Sequence, residues 1–119
     1  MPKGKRRSRL QKTANHYWKK YNSWGSVECP ALDRPVAFTR WGWDHLMNTK
    51  FRTKVERMER LRLLPIAKKI LEMSTTIQSR RYKNSRNYYE FAVLFPDGKF
   101  KVVVIENKKQ YIFYSVFKV

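Results

Sequence analysis

From Val36 onward, apolar residues recur with a regular period, and the period changes once. Val36-Ala37-Phe38-Thr39 predicts a short strand, after which Thr39 supplies a hydroxyl to cap a helix from Arg40 or Trp41 to about Asn48. That places His45 on a helix. A second helix is expected over Thr53 to Leu64, where Val55, Met58 and Leu61 keep helical spacing and Arg57, Arg60 and Arg62 lie off that line. Pro65 breaks or kinks it, and a further helix follows to about Met73.

Beyond Ser74 the pattern alternates. Thr76 to Tyr82, Asn87 to Phe95, Lys99 to Glu106 and Tyr111 to Phe117 predict four strands, with Pro96-Asp97-Gly98 and Asn107-Lys108-Lys109 as tight links between the last three. Short links make neighbours antiparallel. In the second strand Tyr89, Phe91, Val93 and Phe95 share a face that can take the helices, and Tyr88, Glu90, Ala92 and Leu94 share the other. The expected fold is α+β: N-terminal helices packed on a four-stranded antiparallel β-meander, forming one domain over 36–119.

Ahead of that domain, residues 1–20 hold eight cations and no acid. Such an arm repels itself, so 1–35 is expected to be a basic flexible arm and connector. Tyr17, Trp18, Tyr21 and Trp24, interleaved behind the charges, can stack on bases or pack against the domain. Pro30 and Pro35 mark the connector.

Charge then narrows the function. The chain of 119 residues carries 27 Lys and Arg against 9 Asp and Glu, a formal +18. A surface so cationic draws in phosphate-rich polymers and gains from released counterions, which points to RNA or DNA. Cys29 is the single cysteine, excluding an internal disulfide framework, and only His16 and His45 could add imidazole ligands, so neither metal nor other cofactor is expected. No apolar run is long enough for a membrane span or a signal peptide, which reads as a soluble protein.

Basic residues crowd the first strand edge: Arg80, Arg81, Lys83 and Arg86, beside Tyr82, Tyr88 and Tyr89. This is a candidate RNA-binding groove, though lysines on an edge strand also discourage aggregation. His45 titrates near neutrality, so it can take a proton from a ribose 2′-hydroxyl or give one to a leaving 5′-oxygen without a metal. Glu106 is a second candidate for proton transfer, Lys101, Arg80 or Arg81 for the phosphate, and Tyr114 or Ser115 for orientation. Alternation sets a limit: Lys101 and Glu106 face opposite ways on a regular strand, as do Tyr114 and Ser115, unless a bulge intervenes.

The run Phe38-Thr39-Arg40-Trp41-Gly42-Trp43-Asp44-His45-Leu46, the segment Glu59 to Leu71, the Tyr88-Tyr89-Glu90 strand, Val102-Val103-Val104-Ile105-Glu106 and the closing Phe113-Tyr114-Ser115-Val116-Phe117 resemble a known family. It is the phage and polymorphic-toxin branch of the barnase, EndoU, colicin and RelE-like (BECR) nucleases. The resemblance covers Val36 to the end and rests on order, with no invariant signature. It implies a metal-independent ribonuclease acting on tRNA, of the kind found as toxic tips of contact-dependent inhibition proteins. It also implies His45 as the helix histidine, Ser115 as the polar position of the closing strand, and Lys101 and Glu106 as the charged positions of the third. The expected site of action is the cytoplasm, whether the chain is a domain delivered within a larger secreted protein or stands alone. An acidic immunity protein is the expected partner, because a surface of this charge associates fastest with a negative one. The alternatives are a non-catalytic nucleic-acid-binding protein, as in ribosomal or phage accessory proteins, and a phage-assembly protein whose charge offsets packaged genome.

Overall fold

The computed structural model describes residues 8–48 and 50–119. Four helices and six strands follow in the order α1 (Arg9–Trp24), β1 (Ser26–Cys29), β2 (Arg34–Ala37), α2 (Arg40–Leu46), α3 (Lys54–Arg62), α4 (Leu64–Met73), β3 (Ser79–Lys83), β4 (Arg86–Phe95), β5 (Gly98–Asn107) and β6 (Gln110–Lys118). The α+β expectation holds. The expected four-stranded antiparallel meander is present as β3 to β6, but it is part of a larger mixed sheet: six strands run β1-β2-β6-β5-β4-β3, and β2 lies parallel to β6.

The expected flexible arm is also corrected from Arg9 on, while its first seven residues fall outside those described. Leu10, Ala14, Tyr17, Trp18, Tyr21 and Trp24 repeat at helical intervals, and all of them pack in or against the core. That apolar stripe outweighs the repulsion among cations on the opposite face. Ser8 caps α1 by accepting from the Gln11 amide at 3.1 Å. Tyr21 is 1 % exposed, and its hydroxyl donates to the Thr39 carbonyl at 2.7 Å. Burying a ring of this size stabilises the fold by about 2–3 kcal/mol, enough to anchor a helix that is otherwise very polar. The connector, too, is partly structured: Val27 and Cys29 of β1 are buried, and α4 packs on that strand.

Hydroxyl caps start α2 and α3. Thr39 accepts from the Gly42 amide, and Thr53 and Glu56 form a reciprocal capping box. Leu63 closes α3 and opens α4, with Pro65 in the first turn of α4, where a missing N–H costs little. The third predicted helix therefore exists, but the first strand of the meander begins at Ser79 instead of Thr76.

Tyr89, Phe91, Phe100, Val102, Val104, Phe113 and Val116 form the buried sheet face, joined by Leu46, Leu61, Leu64, Ala67, Ile70 and Leu71 from the helices. β2 pairs with β6 only at Tyr111 and Ile112. Past that point α2 takes over the flank of β6, and Gly42 is the contact. A Cβ there would sit 2.3 Å from the Phe113 carbonyl oxygen and 2.9 Å from the Tyr21 hydroxyl. Only glycine lets the helix approach so closely.

Register along β5 and β6 slips once. Val103 opposes Ser115 but Val104 opposes Phe113, so Tyr114 is an additional residue in β6, a bulge.

Candidate active site

The second sheet face meets α2 and α3 across a cavity of about 340 Å³. Its walls are His45 from α2, Arg52 from the segment before α3, Arg60 from α3, Arg81 and Lys83 from β3, Asn84 from the following turn, Tyr88 from β4, Val103 from β5, and Tyr114, Ser115 and Phe117 from β6. Among the described residues, arginine and lysine supply all the formal charge on these walls. A larger groove of about 610 Å³ lies elsewhere, between the start of α1 and α3. Among the described residues its walls hold neither imidazole nor phenol, and their charges are mixed, so the smaller cavity is the better chemical site.

The bulge builds this site. On a regular strand Tyr114 and Ser115 would face apart; the additional residue lets both line the cavity. Tyr114 then lies against His45, ring centroids 3.7 Å apart and planes at 22°. Tyr88 meets Tyr114 edge-on at 5.5 Å. Arg60 donates to the Ser115 hydroxyl at 2.8 Å and spreads its guanidinium over Phe117. Arg52 is steered by its bond to the Leu46 carbonyl at the end of α2.

These surroundings set the titration of the site. Burial, aided by the Arg52 and Arg60 charges, pushes the His45 imidazole down to about 4, so it is neutral at pH 7. Burial and the Arg52 charge also lower Arg60. Burial and the neighbouring Tyr88 raise the Tyr114 phenol, against the opposing pull of Arg52 and Arg86. An anion entering the cavity relieves the repulsion between Arg52 and Arg60 and favours the protonated imidazole.

Glu90 stands behind the cavity, on the same sheet face as Arg81. It accepts from Ser79 at 2.8 Å, pairs with Arg81, and lies 3.8 Å from the Lys101 ammonium. Burial opposes its ionisation, but Ser79, Arg81 and Lys101 outweigh it and hold the carboxyl below the usual range.

Six of the residues singled out from sequence therefore meet in one place: His45, Tyr114, Ser115, Arg81, Lys83 and Tyr88. Four do not. Lys101 shares the face but is drawn to Glu90. Glu106 belongs to the opposite face, where it accepts from the Tyr89 hydroxyl at 2.9 Å and from Asn87 at 3.2 Å. That burial and bond push the Tyr89 phenol up to about 12. Arg80 pairs in register with Tyr89 and so points away from Arg81. Arg86 lies over the Trp41 ring, outside the cavity wall. Sequence reasoning missed Arg52, Arg60, Asn84, Val103 and Phe117; Arg60 had been assigned only to the polar side of its helix.

Comparison with known proteins places the chain beside none of them: no family model, curated protein or solved structure matches it.

Proposed function

We propose that the chain is an endoribonuclease that cleaves by attack of a ribose 2′-hydroxyl on the adjoining phosphate, without a metal ion. The arrangement that carries this reading is the half-buried His45 imidazole, which burial keeps neutral, set among described wall residues whose formal charges are all positive. Neutral His45 has a free lone pair to take the 2′-hydroxyl proton. Arg52, Arg60 and Arg81 hold the phosphate and match the charge that builds on its oxygens as the 2′-oxygen bonds to phosphorus and the 5′-oxygen departs. Arg60, fixed by Ser115 and Phe117, is the best oriented of the three. Tyr114 donates a hydrogen bond to the departing 5′-oxygen, which takes its proton from solvent. The product is a 2′,3′-cyclic phosphate. Among the described residues no carboxylate lines the cavity, so this lining lacks the ligand type by which proteins usually hold Mg²⁺.

This chemistry is what the resemblance to BECR nucleases implies, with His45 and Ser115 in the cavity and Lys101 and Glu106 outside it. Following the same resemblance, tRNA in the cytoplasm is the proposed substrate and an acidic inhibitor protein the proposed partner.

The test is incubation with total tRNA in excess EDTA beside a His45→Ala variant, with end-group analysis of the products. Discrete fragments ending in 2′,3′-cyclic phosphate, absent with the variant, support the reading. Intact tRNA with the native chain overturns it.

A second reading, a non-catalytic nucleic-acid-binding protein, is favoured by edge strand β3, where Tyr82 is 72 % exposed between Arg81 and Lys83. A ring flanked by cations suits sequence-tolerant contact with a strand. This reading predicts a gel shift without cleavage.

A further inference from the structure

We infer that Trp41 is a stacking platform for an unpaired nucleobase, belonging to the nucleotide that adjoins the phosphate in the cavity; the inference rests on that cavity receiving an RNA phosphate. α2 turns its two tryptophans to different surroundings. Trp43 is 9 % exposed in the core, whereas Trp41 is 44 % exposed although it is the larger kind of side chain that folding normally hides. One helical turn separates Trp41 from His45, and the two rings lie 22° from parallel with centroids 6.5 Å apart. Tyr114 touches both, at 5.5 Å from the indole and 3.7 Å from the imidazole. The indole is thus mechanically tied to the candidate base of the reaction while remaining open to solvent.

Its partner shows what the indole face accepts. The Arg86 guanidinium sits over the ring, 5.6 Å from its centroid. Guanidinium is a flat, delocalised cation, and an aromatic face open enough to stack it can also stack a purine or pyrimidine. When a base takes that position, Arg86 is released next to the RNA backbone, where it can pair with a phosphate. A base can reach Trp41 only after leaving a helical stack, so the platform selects single-stranded segments such as loops over duplex. Every base has a π face, so little discrimination among the four is expected.

The experiment measures binding by the full-length chain of a fluorescent pentanucleotide that is 2′-O-methylated throughout and so cannot be cleaved. A second probe carries an abasic site at each position in turn, and inorganic phosphate serves as a competitor for the cavity alone. Trp41→Ala should weaken the intact pentanucleotide roughly 5- to 100-fold. Trp41→Tyr should restore most of that loss. One abasic probe should bind native and Trp41→Ala chains alike, and phosphate competition should be the same in both. Equal losses on intact and all abasic probes, or failure of tyrosine to restore affinity, would overturn the platform. Cleavage is absent from this assay by design. A chain that shows the Trp41 effect but never cuts tRNA keeps the platform and loses the ribonuclease reading; one that cuts tRNA without the Trp41 effect does the reverse.

Discussion

His45 lies flat on Tyr114, ring centroids 3.7 Å apart and planes at 22°. The contact covers one face of the imidazole, and the surrounding arginines disfavour its proton, so the ring stays a free base where an exposed histidine would be partly charged. The kinetic signature follows directly. For kcat/KM, which reports the free enzyme, the acid limb should fall with a midpoint near pH 4 instead of about 6.5. For kcat the limb should lie at higher pH, because bound phosphate offsets Arg52 and Arg60. A kcat/KM midpoint near 6.5 would show that the cavity does not desolvate the ring.

The same group shapes stability. An unfolded imidazole titrates near 6.5 and the folded one near 4, so between these values the unfolded chain binds a proton that the native chain refuses. Stability that is complete above pH 6.5 should therefore decline towards pH 4, by about 1–2 kcal/mol once screening of a partly exposed ring is allowed for. Denaturant titrations across this range should show the slope in the native chain and a flatter one in His45→Gln. Glu90 works in a lower window: its depressed carboxyl stabilises above the ordinary carboxylate range and loses that contribution as pH falls through its own value. Glu90→Gln should remove only that lower decline.

Gly42→Ala should destabilise the fold by about 1–3 kcal/mol, since its methyl meets backbone that has little room to yield. Activity should fall further than stability accounts for, because α2 carries His45 and any retreat from β6 separates it from Tyr114. Urea midpoints and kcat/KM measured on the same preparations check both parts; a fully active, fully stable Gly42→Ala would contradict the tight contact.

A cavity walled by arginines and a lysine, of which Arg81 is already paired with Glu90, should be strengthened by a bound anion that offsets the rest. Phosphate at one hundred times its dissociation constant stabilises the native state by about 2.7 kcal/mol, which raises the melting temperature on the order of 10 °C for a domain of this size. Thermal melts at matched ionic strength should show most of that rise abolished in Arg60→Met. An undiminished rise in the variant would place the anion elsewhere.

Strand β4 was legible because Tyr89, Phe91, Val93 and Phe95 alternate, β5 and β6 because Pro96-Asp97-Gly98 and Asn107-Lys108-Lys109 bound them with turns, and the starts of α2 and α3 because Thr39 and Thr53 are strong caps. The helix α1 was hidden by its own cations, though Leu10, Ala14, Tyr17, Trp18 and Tyr21 carry the right spacing. The parallel seam between β2 and β6 joins residues 75 apart in sequence, Val36 and Tyr111, and local pattern cannot reveal such a pairing. Within the site, His45 stood out by rarity, whereas Arg52 and Arg60 were two among 27 Lys and Arg. Only tertiary packing distinguishes an arginine held beneath Phe117 from one in solvent.

The bulge at Tyr114 divides β6 into two reading frames. Phe113 and Val116, three positions apart, both enter the core, and Tyr114 and Ser115, adjacent in the chain, both enter the cavity. The strand thus changes parity at the very point where it supplies chemistry. Deleting Tyr114 would leave a smoother ribbon and a working core while silencing the site; inserting a residue on either side would exchange wall for interior along the rest of the strand. Length here is as much a functional specification as identity.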